Sequence, residues 1–418
     1  MLTYAFIALL FTDILLRCWL SFRQIRHVIA HRNTVPAEFS PRIGLHSHQR
    51  AADYTVARAK LGMVERFFDA GVLVALTLLG GLQFFNSLAT QLTGNDFLRQ
   101  LLLIGGVSVT LGILGLPFTL YRHFRLESRF GFNRMTLKLF AADTAKGTAV
   151  GILLGVPLVA LVLWLMGAAG QYWWILAWAV WVGFNILMLV LFPAFIAPLF
   201  NTFKPLDDKR LAERIRALTQ RCGFALSGLF VMDGSKRSAH GNAYFTGFGK
   251  SRRIVFFDTL LSRLNEDEIE AVLAHELGHF AKRHIIKRVL ISFTLAFAFF
   301  ALLGWAAAQP AFYEGLGVSL VVGQAPDAMA LLLFFLVLPV FTFVFTPIGS
   351  WYSRQHEFEA DNYAREQSQS SYLISALVKL YDDNAATLTP DPVHSAFYDS
   401  HPPAAVRIRQ LQTQGGTA

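Results

Sequence analysis

Long apolar runs alternate with polar, often basic, stretches along most of the chain. Seven runs, at residues 2–20, 67–85, 101–121, 147–166, 172–199, 289–308 and 328–347, are long enough to cross a bilayer, which takes about 20 helical residues. Asp13 interrupts the first run, which lacks a basic leader and a small-residue cleavage site. It therefore reads as a signal-anchor helix, not a removable signal. The fourth and fifth runs are separated only by "GAAGQ" and read as a helical hairpin.

Between the fifth and sixth runs the pattern changes. In "DDKRLAERIRALTQRCGF" the spacing of Leu211, Ile215 and Leu218 predicts an amphipathic helix. "LFVMD" is strand-like, and "AYFTGFGKSRRIVFFDTLL" reads as two strands joined through a Gly-Lys-Ser-Arg turn. "NEDEIEAVLAHELGHFAKRH" predicts a helix with Asn265 as N-cap and Glu268 at the capping-box position. A second polar region, containing "SRQHEFEADNYAREQ", follows the seventh run. The expected division is 1–200 with five spans, 201–288 as a polar α+β segment, 289–348 with two spans, and 349–418 as a polar C-terminal segment.

Composition agrees with a polytopic α-helical membrane protein carrying a small α+β domain. Hydrophobic residues make up 54% and charged residues only 16%, against roughly a quarter charged in soluble domains. The net charge of +9 need not imply nucleic acid, because basic residues orient membrane helices. Lys and Arg crowd the segments after the first, third, fifth and seventh runs. After the second run Arg99 stands alone, and the connections after the fourth and sixth have neither. That alternation predicts an outside N-terminus, an inside C-terminus and both polar regions in the cytosol. Cys18 and Cys222 suggest neither a disulfide framework nor a thiolate metal site.

The candidate chemistry lies in "AVLAHELGHFAKRH". On a helix, His275 and His279 share one face and can ligate a single cation, while Glu276 is suited to act as general base toward water. Zinc suits such ligands and keeps a position open when catalytic. A metzincin would need His at position 285, which is Ile, and His284 falls one short. The third ligand must come from elsewhere. Glu357 of "SRQHEFEADNYAREQ" can bind the metal, and Asp361, four residues on, can accept the other ring N–H of a ligand His. Glu359 and Glu366 read as an ordinary charged helix face. His46, His48 and His123 read as loop histidines.

The stretches "HQRAADYTVARAK", "FGFNRMTLKLFAAD", "FNTFKPLDD", "VMDGSKRSAHGNAYFTGFGKSRRIVFFDTLL", "AVLAHELGHFAKRH", "SRQHEFEADNYA" and "SHPPAAVRIRQL" run nearly end to end. Together they resemble the type I CAAX prenyl protease family, integral-membrane gluzincin zinc endopeptidases, in a bacterial-type form. The family commonly has Gln where Glu359 stands.

The resemblance implies one zinc per chain, with His275, His279 and Glu357 as ligands, Glu276 as base and Asp361 behind a ligand. It implies that His401 stabilises the tetrahedral intermediate, that Arg407 lies near the site, and that "GNAYF" forms an edge strand. There Asn242 and Ala243 would bind the substrate backbone, with His240 beside them. From the residues alone, His401 reads as a loop His, Arg407 as a surface or lipid-facing charge, and His240 as a structural hydrogen-bonder. The implied fold is a ring of seven transmembrane helices around an intramembrane chamber, capped by the zinc domain on the cytosolic side.

The expected function is zinc-dependent hydrolysis of peptide bonds near the C-terminus of prenylated CAAX proteins, whose lipid favours delivery to the membrane. A bacterial inner membrane is the expected location, or the ER membrane in a eukaryote. A host without prenylation would point instead to quality control of membrane proteins. A non-catalytic, zinc-stabilised channel or scaffold is the reading from another class.

Overall fold

The apolar runs fall on helices in the computed structural model, which describes residues 1–246 and 253–413. Leu2–Ala30, Asp96–Glu127, Leu137–Ala168, Gly170–Phe200, His284–Ala307 and Asp327–Gln367 are each long and apolar enough to cross a membrane. Asp13, within the first of them, is paired with Arg17 at 2.8 Å, one turn along the same helix.

The second expected span is divided. Helix Leu45–Leu76 meets helix Gly81–Leu92 at a bend of 54°. Gly80 is left-handed, with φ of 81°, and a Cβ on Gly81 would lie 2.6 Å from the carbonyl oxygen of Ala75. Only glycine accommodates both demands without strain. Counted as one broken span, the pair brings the total among the described residues to seven. The chain is thus a multi-pass membrane protein.

The last span is the most embedded. Half of its apolar window is buried, against 6% for Gly170–Phe200. Leu331, Leu333, Phe334 and Val337 pack there with Phe6, Leu103, Val107 and Leu303. The span continues through a 3-10 turn at Phe343–Phe345 into helix Thr346–Gln367. The polar "SRQHEFEADNYAREQ" segment is therefore an extension of a membrane helix.

The polar half is built on a four-stranded sheet of β1 (Phe203–Pro205), β2 (Gly228–Met232), β3 (Ala243–Thr246) and β4 (Arg253–Phe257), ordered β1-β2-β4-β3. The β2–β4 pair is parallel and the other two are antiparallel. Among the described residues β3 is an edge strand. β1 had no counterpart in the sequence reading, since three residues ending in Pro offer no alternation to read. The expected Gly-Lys-Ser-Arg turn, at 249–252, lies outside the described residues.

Helix Lys209–Arg221 buries Leu211, Ile215 and Leu218 as its apolar stripe. They meet Ile254 and Phe256 of the sheet and Leu273 and Leu277 of helix Glu266–Ala281. That last helix opens on a reciprocal capping box. The Glu268 amide donates to Asn265 Oδ1 and the Asn265 amide to Glu268 Oε2, both at 2.9 Å. The buried Glu268 carboxylate also accepts from Lys379 Nζ at 2.7 Å, which ties this helix to helix Ser370–Asp383. The helix ends at Ala281, and a left-handed Arg283, φ 56°, turns the chain directly into the span His284–Ala307. Two membrane helices therefore lead into the polar half from neighbouring points.

Candidate metal centre

Helix Glu266–Ala281 and helix Thr346–Gln367 cross closely enough to bring their charged faces together. Gly278 permits the approach: a Cβ there would sit 2.9 Å from Ala360 Cα and 3.1 Å from the Ala360 carbonyl oxygen. The nearest atoms are backbone, which cannot swing aside. Overpacking of this kind costs about 1–3 kcal/mol. Gly278→Ala is expected to push the helices apart, lowering both thermal stability and zinc affinity. A variant with the parent's melting temperature and zinc affinity would contradict this reading of the crossing.

At the crossing, His275 Nε2 lies 3.4 Å from Glu357 Oε2, and His279 Nε2 lies 3.4 Å from Glu357 Oε1. The donor atoms of the three residues all fall within 4.8 Å of one another. Zinc bonds of about 2.0 Å at tetrahedral angles give ligand–ligand edges of roughly 3.3 Å, so the observed separations fit. Glu357 is 2% exposed, and its Oε2 accepts no hydrogen bond, with Arg407 Nη1 standing off at 3.8 Å. A buried anionic oxygen without a donor is costly unless a cation meets it. The donor set and its geometry therefore fit zinc.

The rear of the site is held by charge. His275 Nδ1 lies 2.9 Å from Asp361 Oδ1. Arg407 grips both oxygens of that carboxylate, with Nε donating to Oδ2 at 2.8 Å and Nη2 to Oδ1 at 2.5 Å. Arg407 is buried. The reading of its residue type alone, as a surface or lipid-facing charge, is corrected: pairing with Asp361 keeps it inside. His401 lies on the open side, its side chain 63% exposed and its Nε2 3.5 Å from Glu357 Oε1.

Glu276 shares the turn with His275. Among the described residues its carboxylate makes no hydrogen bond or ion pair, and burial raises its pKa above the ordinary range.

The residues before the edge strand are pinned differently. His240 Nδ1 lies 2.8 Å from Asn384 Oδ1, its Nε2 lies 3.9 Å from Glu127 Oε2, and its ring stacks on Phe132 at 4.5 Å. The Glu127 carboxylate holds the His240 pKa above its usual value. Both ring nitrogens thus face protein partners. The exposed Asn242 accepts the Ala243 N–H on its own Oδ1 at 2.8 Å, and its backbone carbonyl accepts the Phe257 N–H at 2.9 Å. Ala243 opposes Phe256 at the start of β3, whose other side is a sheet edge.

Two neighbours of the cluster were not anticipated from the sequence. His279 Nδ1 lies 3.0 Å from His284 Nδ1, and His284 Nε2 lies 2.8 Å from Glu359 Oε2. Their only sequence signal is nearness: His284 is five residues past His279, and Glu359 two past Glu357.

Comparison with known proteins matches residues 24–202 to the family described as "CAAX prenyl protease N-terminal, five membrane helices". Residues 205–414 match peptidase family M48. The chain is 38% identical to the CAAX prenyl protease 1 homolog of Arabidopsis thaliana over 76% of its own length and 74% of that protein. It is 36% identical to CAAX prenyl protease 1 of Saccharomyces cerevisiae over 75% of its length and 72% of that protein. Its fold is similar to the crystal structure of S. mikatae Ste24p, with a TM-score of 0.91, 31% identity and 98% of each chain covered. With the two matched regions spanning both the membrane helices and the His–His–Glu cluster, the chain belongs to the CAAX prenyl protease branch of peptidase family M48.

Proposed function

We propose that His275, His279 and Glu357 hold the zinc of a membrane metalloendopeptidase. Glu276 is its general base, and its substrates are prenylated CAAX proteins or peptides cut near their C-termini. The observation that carries this reading is the His–His–Glu cluster, with His275 and Glu357 buried and an unpartnered carboxylate beside it, where one membrane helix extends into the polar half and another begins. Zinc, when bound, supplies Lewis acidity toward the scissile carbonyl and makes water a better nucleophile at neutral pH.

The chain's own residues do the rest. Glu276 takes a proton from the attacking water and returns it to the leaving amine. His401, exposed beside Glu357, donates to the oxyanion as it forms. Asp361 accepts the Nδ1 proton of His275, leaving Nε2 free to bind, and Arg407 holds Asp361 in place. The free edge of β3 pairs with an extended substrate. Ala243 and the exposed Asn242 lie along that pairing, and His240 anchors the start of the strand.

The loop charges support a cytosolic active site and C-terminus and an outside N-terminus. The polar segments 201–288 and 349–418 then act together as the protease domain, on the spans of 1–200 and 289–348.

The test offers purified protein a farnesylated CAAX peptide, the same peptide without its lipid, and a misfolded membrane protein. The expected result is cleavage of the farnesylated peptide near its C-terminus, abolished by a zinc chelator and restored by zinc. Equal cleavage of the lipid-free peptide would remove prenylation from the substrate description. Cleavage of the misfolded protein alone would favour quality control.

A further inference from the structure

We propose that His284 and Glu359 are positioning residues for the metal centre, forming a relay that fixes the tautomer and direction of His279. The inference rests on reading His275, His279 and Glu357 as the zinc site.

A histidine that offers Nε2 to a cation carries its proton on Nδ1, and that proton needs an acceptor. For His275 the acceptor is Asp361, at 2.9 Å. His279 has no carboxylate at the corresponding place. Its Nδ1 instead faces His284 Nδ1 at 3.0 Å. Two facing ring nitrogens can bond only if one carries the proton and the other does not.

The far end of His284 decides which. Its Nε2 lies 2.8 Å from Glu359 Oε2, and a carboxylate accepts. A neutral His284 therefore carries its proton on Nε2 and receives the His279 proton on Nδ1. In the reverse arrangement the His279 proton would sit on Nε2, pointing at Glu357 and barring a cation. Every donor in the chosen arrangement has an acceptor.

The relay is also held rigid. His284 is 1% exposed and lies flat on His356, with ring centroids 4.0 Å apart and an interplanar angle of 8°. The His356 ring is in turn held edge-on by Tyr352 at 4.3 Å. Glu357 and Glu359 stand two residues apart on one helix and bracket the imidazole pair, one at each end. Both ligand histidines are then backed by a carboxylate, His275 directly and His279 through a second ring.

The test is zinc affinity, measured on chelator-stripped full-length protein by titration with zinc against a competing fluorescent chelator. Glu359→Ala is expected to bind zinc about 10-fold or more weakly, the usual scale for losing an outer partner of a ligand. Glu359→Gln keeps a carbonyl oxygen for His284 and is expected within about threefold of the parent. If the two residues act as one chain, His284→Ala with Glu359→Ala binds no more weakly than His284→Ala alone. Should His284→Ala fail to fold, the Glu359 variants decide, since that side chain is 47% exposed. Parent-like affinity in Glu359→Ala would overturn the relay, as would a Gln variant as weak as Ala. A parent that binds no zinc would instead overturn the metal site on which the relay depends.

Discussion

Glu276→Gln is expected to retain one zinc per chain and to lose cleavage by about 100- to 10,000-fold in kcat, the range for removing a general base. The amide keeps the shape of the side chain but cannot take a proton. Zinc should stay because Glu276 stands outside the cluster of His275, His279 and Glu357. Folding should hold as well, since the carboxylate makes no hydrogen bond or ion pair among the described residues. Substrate affinity should change little, because the loss falls on a proton transfer made only in the transition state. Metal analysis and steady-state kinetics on one preparation check this. A variant cleaving at the parent's rate would remove Glu276 from the chemistry, and loss of zinc would make it part of the metal site.

Arg407→Ala is expected to damage the protein in a different way. Arg407 donates to both oxygens of Asp361, which is 1% exposed. Removing it leaves a buried carboxylate short of its main partner. Breaking a buried pair from one side costs about 3–5 kcal/mol. Asp361 in turn orients His275, so zinc affinity should fall along with stability. Arg407→Lys should fall between, because an ammonium cannot span both oxygens as a guanidinium does. Thermal unfolding in detergent and zinc titration give the readouts. If Arg407→Ala kept both stability and zinc and lost only kcat, Arg407 would act on the substrate and not through Asp361.

Much of this was legible in the sequence because its causes are local. An apolar run of about 20 residues has one common use, and each such run but the second, which is split between two helices, lies within a candidate span. His275 and His279 share a face because a helix repeats every 3.6 residues. The Asn265–Glu268 capping box needs only a spacing of three. The features that escaped depend on approach between distant segments. His284 and Glu359 are 75 residues apart in the chain, and Asp361 and Arg407 are 46 apart. Glu359 looked like an ordinary charged helix face because the imidazole it meets arrives from another helix. The bend at Gly80 and Gly81 was hidden inside an apolar run, where hydropathy is blind to backbone conformation. Strand β1 is too short for any period to register.

The central claim is that two histidines on one helix and a glutamate on another hold a single zinc at the membrane's edge. A zinc-edge anomalous difference map from crystals of the purified protein tests it directly. The expected result is one peak per chain, between Nε2 of His275, Nε2 of His279 and the Glu357 carboxylate, disappearing in Glu357→Ala. A map with no peak there, or with its peak at another group of side chains, would contradict it.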